Sequence, residues 1–355
     1  GKHNNWSIST DEGVNLLSPG ETPHDNAQFL LFLCAVIKAV DDYQDLLRIS
    51  VATAGNDLRL GAQEAPPAIV SIFLGDELNA VLESLENDTP YCGVKKTKMK
   101  LGVDVLPKFT KDNTDRNRTS PFAFTGNKFE FRMVGSADSI ACANIMLNSA
   151  VAESLRVYAD YLEQAPDFQS ALQEMLKNTI KEHKRIIFNG NGYDDAWIQE
   201  ATLKRGLSNY PSTPDCVPHI LDRKNVELLT GQKIYTEPEL RARYEIVLEN
   251  YCKSIVIEAN TMVDMAEKEI LPAITAYAME LAKTAAAKKA LNEQITCAFE
   301  CERVKTLSAL TDEIALKIQK LKKSLISLKS TETVCEESAF IRDQVLVKMR
   351  ELRVP

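Results

Sequence analysis

No Cys-x-x-Cys pair occurs in this 355-residue chain, although it carries eight cysteines. Cys297 and Cys301 stand four apart in a helical pattern with no histidine beside them. Zinc sites and disulfide frameworks are therefore disfavoured, and reduced cysteines in a cytoplasmic protein are the expectation. No apolar run approaches the roughly 18–20 residues of a membrane-spanning helix. No secretory or lipidation signal is legible. The formal net charge of -8 leaves little excess of basic residues, which argues against a protein built to bind nucleic acid. A phosphate-cradling P-loop is missing too, because the glycine-rich stretch Asn189-Gly190-Asn191-Gly192 lacks a following Lys-Ser/Thr and reads as a turn. No repeat of 20–50 residues stands out. The chain opens on Gly1-Lys2-His3 without an initiator methionine, so residues upstream are expected.

What is present is a soluble, globular balance: 45% apolar and 26% charged residues. Residues 1–170 read as mixed α/β. His3–Ser9 alternates like a strand, and Asp25 is the expected N-cap of an apolar helix from about Ala27 to Val40. A second helix is expected over Pro67–Leu85 and a third over Asp138–Leu162. Between Tyr91 and Arg118 lie eight Lys/Arg against three Asp, a local basic stretch in an acidic chain. Residues 171–230 read as irregular, with Pro211, Pro214 and Pro218. Residues 231–355 are almost all helix formers. Ile270, Ile274, Tyr277 and Leu281 make one apolar seam, and Ile314, Ile318, Leu321, Leu325 and Leu328 make another. Such seams suit an antiparallel helical hairpin or bundle, with Lys317, Lys320, Lys322, Lys323 and Lys329 solvated on the other faces. Pro272 should start or kink a helix.

Three segments carry polar patterns that could do chemistry. His3, Asn5 and Ser7 share one face of a strand, where an imidazole either ligates a metal or is an ordinary surface group. Arg59 and Glu64 lie on a glycine-containing loop ahead of Pro66-Pro67, either clamping a carboxylate and taking a proton or forming a surface salt bridge. Lys128, Glu130 and Arg132 share a strand face opposite Phe129, Phe131 and Met133. That face is either plain solvent-exposed strand or, with Arg116 and Arg118 upstream, suited to a metal-bridged polyphosphate.

In this order, Gly1-Lys2-His3-Asn4-Asn5-Trp6-Ser7, Arg59…Gln63-Glu64-Ala65-Pro66, Arg116-Asn117-Arg118-Thr119-Ser120 and Lys128-Phe129-Glu130-Phe131-Arg132 resemble glutamine synthetase. Trp6, the wording from Thr125 to Arg132, Phe188-Asn189-Gly190-Asn191-Gly192-Tyr193 and the helical tail resemble its type III class. The resemblance implies an α+β fold: the C-terminal part of a glutamine synthetase/guanido kinase-like catalytic domain, an antiparallel sheet with helices, over residues 1–170. A type III connector over 171–230 and a helical C-terminal domain over 231–355 complete it. It implies ATP-dependent ligation of ammonium to L-glutamate through γ-glutamyl phosphate, with Mg²⁺ or Mn²⁺, in a ring-type homo-oligomer whose active sites are shared between subunits.

By the same resemblance His3 and Glu130 are metal ligands. Arg59 and Arg132 hold glutamate, and Glu64, Arg118 and Arg132 serve catalysis. Ser7, Arg118 and Lys128 lie at ATP. Asn5 stands where other classes have a second histidine, and Lys128 stands where many relatives have arginine, losing the bidentate fork. The family's remaining metal carboxylates precede this stretch, so these residues alone are expected to make little or no glutamine. A non-catalytic scaffold, another carboxylate–amine ligase or guanidino kinase, and a separate interaction module over 231–355 are the competing readings.

Overall fold

The computed structural model describes residues 1–62, 65–91 and 120–354. Glu64, Arg116, Arg118 and nearly all of the basic stretch therefore lie outside the described residues. The chain divides into two units, Gly1–Tyr244 and Glu245–Pro355.

The first unit is organised around a four-stranded sheet of order β1-β4-β3-β2, made by β1 (Asn4–Trp6), β2 (Ile72–Phe73), β3 (Phe122–Phe124) and β4 (Phe129–Phe131). β1/β4 and β4/β3 pair antiparallel, while β2 runs parallel to β3. The sheet is thus mixed, not purely antiparallel as expected. β2 is short and wholly buried, and its partner β3 is reached only after α4 (Asp76–Glu86) and the long stretch beyond it, which gives the chain room for a parallel return. Ile187 adds an isolated parallel bridge to Ile72.

One face of the sheet is aromatic. Phe122 stacks on Phe129 at 4.6 Å, and Phe124 reaches Phe29 of α1 (Ala27–Asp42) at 6.0 Å. α1 is apolar over most of its surface and packs on α5 (Ala141–Glu163) and α6 (Phe168–His183). Its cap is Asn26 rather than the expected Asp25: the Asn26 Oδ1 accepts from Phe29 N at 3.0 Å. The helix expected over Pro67–Leu85 is instead β2 followed by α4. Gly75, at φ 83°, separates the two, a conformation open to glycine and strained for other residues.

Buried charge ties α1 to the end of α6 and the turn after it. Asp41 accepts from His183 Nδ1 at 2.8 Å and from Arg185 Nε at 2.9 Å. Asp42, 3.8 Å from His183 Nδ1, is paired with Lys38 at 2.6 Å. Both carboxylates already face cations, so the cluster reads as a structural clamp. The range expected to be irregular, 171–230, is largely helical: most of α6, then α7 (Asp195–Gln199), α8 (Thr213–Cys216) and α9 (Arg223–Gly231). Pro214 and Pro218 sit in first turns, where a missing N–H costs nothing.

The second unit is helical. From Glu245 on, α10 (Glu237–Met265) supplies its first helix, and α11 (Leu271–Leu291) and α12 (Ala298–Ser327) form a hairpin. Lys288 pairs with Glu300 near the turn and Lys322 pairs with Glu267 at 2.6 Å, which fixes the antiparallel sense. Lys322 is therefore ion-paired, as is Lys317 with Glu313 at 2.8 Å, not merely solvated. Pro272 lies in the first turn of α11, just after a π-helical turn over Ala266–Ile270. The expected seams are only partly buried. Leu281, Ile318 and Leu321 are core, but Ile270 and Tyr277 are exposed. α13 (Val334–Phe340) and α14 (Leu346–Arg353) complete the unit, with Ile341 and Val345 buried between them.

Candidate active site

The polar face of the sheet exists because its opposite face is fully committed. Asn4 Nδ2 donates to Asn144 Oδ1 and Trp6 Nε1 to Asn148 Oδ1, both at 2.8 Å and both on α5. The two acceptors are four apart, one helical turn, matching alternate residues of the strand. With Asn4 and Trp6 held against α5, period-two alternation turns His3, Asn5 and Ser7 outward. The β1/β4 register sets Asn5 directly opposite Glu130. His3 Nδ1 then lies 3.8 Å from Glu130 Oε2, with side chains 56% and 12% exposed. That spacing lets one nitrogen and one carboxylate oxygen converge on a shared ion after a small side-chain adjustment. Among the described residues the pair is joined by no third His, Cys, Asp or Glu, so these two donors fit a divalent ion only as part of a larger ligand set.

Arg59 ends α3 (Ala54–Arg59) and comes to the end of β4. Its Nη2 donates to the carbonyls of Arg132 at 3.0 Å and Val134 at 3.2 Å. Its Nε donates to Asn56 Oδ1 at 3.1 Å. Asn56 is buried and donates in turn to the Val51 and Met133 carbonyls. Burial pulls the Arg59 guanidinium below its ordinary pKa, against the opposing effect of Asp138 and Tyr193. A side chain at position 1 would run into this guanidinium, so Gly1 permits the close approach. Arg132 is 7% exposed, and its Nη2 donates to the Ser120 carbonyl at 2.7 Å.

Ser7 Oγ lies 3.0 Å from both Asn15 Oδ1 and the Asn127 carbonyl, and Asn15 Nδ2 donates to that same carbonyl. Ser7 thus sits beside the turn that presents the half-buried Lys128. The structure brings His3, Glu130, Ser7, Arg59 and Arg132 to one sheet, with Lys128 just before the start of β4. Glu64 and Arg118 fall outside the described residues. Asn56, Asp138, Ser120 and Tyr193 were missed as site neighbours by sequence reading. Only the Arg-Asn-Arg-Thr-Ser wording hinted at Ser120; Tyr193 closes the Phe188–Tyr193 motif and Asn56 stands one helical turn before Arg59, but no pattern marked either as a neighbour of the sheet.

Residues 171–289 match the family model described as "Glutamine synthetase C-terminal domain". A glutamine synthetase from Butyrivibrio fibrisolvens is 44% identical over 99% of this chain and 50% of its own length. The chain carries a glutamine synthetase C-terminal domain and is similar to glutamine synthetases over nearly all of its residues. A relative from Dictyostelium discoideum named type-3 glutamine synthetase is 43% identical over 99% of the chain and 49% of its own length. Another glutamine synthetase, from Bacteroides fragilis (strain YCH46), is 43% identical over 78% of the chain. The chain spans about half the length of the curated relatives it matches. The family-model match begins beyond β4, so the polar sheet face rests on the whole-chain similarity. No described helix is long and apolar enough to cross a membrane.

Proposed function

We propose that this chain supplies part of the active site of an ATP-dependent glutamate–ammonia ligase. The observation that carries the reading is the convergence of His3 and Glu130 beside Arg59 and Arg132, in a chain 44% identical to a glutamine synthetase. In this reading the side-chain carboxylate of glutamate attacks the γ-phosphorus of ATP and ADP leaves. Ammonium gives up a proton, and the ammonia so formed displaces phosphate from the γ-glutamyl phosphate. A divalent ion, Mg²⁺ or Mn²⁺, held by His3 and Glu130 with ligands from elsewhere would offset the charge on the phosphate oxygens. Arg132 and Arg59 hold the glutamate carboxylate, Arg132 also facing the phosphoryl group. Ser7, Lys128 and Arg118 line the nucleotide side. Glu64 closes the loop over the site and takes the proton.

The same reading extends to the whole protein. The sheet is the C-terminal part of a guanido kinase-like catalytic domain over 1–170, followed by a connector over 171–230 and a helical domain over 231–355. The protein works in the cytoplasm as a ring-type homo-oligomer with active sites shared between subunits.

The test uses protein of the relatives' full length carrying this chain. Glu130→Ala should weaken metal–nucleotide binding and lower the rate together, each by about 10–100-fold as for lost metal-shell groups. Calorimetric titration with Mn²⁺ and a non-hydrolysable ATP analogue reads the first, and ADP release the second. An unchanged titration would make Glu130 an ordinary strand residue and favour a scaffold role.

A further inference from the structure

The segment from Ile187 to Arg205 lies far along the chain from His3, Arg59, Glu130 and Arg132, yet it is built onto the sheet that carries them. Phe188 N donates to the Ile72 carbonyl at 2.8 Å. Asn189 Oδ1 accepts from the backbone N–H groups of both Leu74 and Gly75 at 3.1 Å. Ser120 is 1% exposed, and its Oγ donates to the Phe188 carbonyl at 2.8 Å. The Ser120 carbonyl in turn accepts from Arg132 Nη2 at 2.7 Å. A continuous hydrogen-bonded path therefore runs from the Phe188 backbone through the Oγ and carbonyl of Ser120 to the Arg132 guanidinium.

The far end of that path is braced. The Phe188 ring stacks on Trp197 at 3.6 Å with 13° between planes. Arg205 covers the pair, 5.1 Å from the Trp197 ring, and donates to the Ile187 carbonyl at 2.7 Å. A Cβ on Gly190 would come within 2.6 Å of the Phe188 ring, so the turn tolerates only glycine while that ring stays in place. A buried serine whose Oγ and carbonyl bond two separate elements is a positioning arrangement, since the Oγ bond fixes the rotor and the carbonyl passes that position on.

We propose that Ser120, held by the Phe188–Asn189 backbone, is the positioning residue that sets the Arg132 guanidinium for its role at glutamate and the phosphoryl group. This rests on the ligase reading of Arg132.

The experiment is a double-variant cycle in protein of the relatives' full length. Ser120→Ala removes the Oγ donor, and Gly190→Ala pushes the Phe188 ring, and with it the carbonyl, from the other side. Each should lower kcat of glutamine formation roughly 10–100-fold, as small misplacements of a site group do. The double variant should be no worse than the worse single one, because both act through one bond. Independent structural damage would multiply instead, and that result overturns the proposal, as does normal kcat in either single variant. Hydrogen exchange of the Phe129–Met133 amides is read in parallel. It should quicken in Ser120→Ala whether or not the protein makes glutamine. A wild-type protein that makes none sinks the ligase reading, and unchanged exchange sinks the latch.

Discussion

Arg59 spends three donors on its own chain, on Asn56, Arg132 and Val134, before any substrate is considered. A guanidinium carries five N–H donors, so two remain for a carboxylate. Removing it should have two consequences. Arg59→Ala should raise the KM for glutamate with a smaller effect on kcat, as loss of ground-state binding does. It should also lower the unfolding free energy by about 1–3 kcal/mol, because the Arg132 and Val134 carbonyls lose charged donors. Steady-state kinetics and denaturant unfolding read the two separately. An unchanged KM would pass the glutamate clamp to Arg132. Glu64→Ala, by contrast, should keep glutamate binding and lose glutamine formation, with the acyl phosphate diverted to water or cyclisation. Measuring phosphate release against glutamine separates these outcomes.

Among the elements, the α11–α12 hairpin shows how far periodicity reaches. Leu321 is fully buried, and Leu321→Ala should cost about 2–5 kcal/mol. Tyr277 shares the α11 seam in sequence but is 48% exposed, and Tyr277→Ala should stay within roughly 1 kcal/mol. Chemical denaturation of both variants tests the difference, and equal losses would contradict the packing. The seams were readable because a helix repeats its face every 3.6 residues. Which end of a seam finds a partner depends on the π-turn over Ala266–Ile270 and on where α13 and α14 fold back, and no spacing encodes that. The same limit explains β2. Its two residues sit inside an apolar run that fits a helix equally well, and only the sheet decides. β1 and β4 were legible because alternation with period two separated His3, Asn5 and Ser7 from Trp6, and Lys128, Glu130 and Arg132 from Phe129 and Phe131. Asn26 over Asp25 as the cap of α1 is a choice between neighbours that propensity does not resolve.

Across the whole chain, the sheet gathers strands from residues 4–6, 72–73, 122–124 and 129–131, with a bridge from Ile187. Motif order singled out its polar face as the candidate site. The Ser120–Phe188 bond and the Asn56 hub were not legible, because they join positions 68 and 77 residues apart through backbone carbonyls, which carry no residue identity. The face sets His3 Nδ1 3.8 Å from Glu130 Oε2, and the relatives it resembles are about twice as long. Its chemistry therefore has to be measured in protein of that length. The most direct measurement is glutamine formed from glutamate, ammonium and ATP by that protein, beside a His3→Ala/Glu130→Ala double variant. The ligase account expects glutamine, ADP and phosphate in equal amounts from the unsubstituted protein, and loss of all three from the variant. Equal product from both proteins, or none from the unsubstituted one with Mg²⁺ or Mn²⁺ supplied, would contradict it.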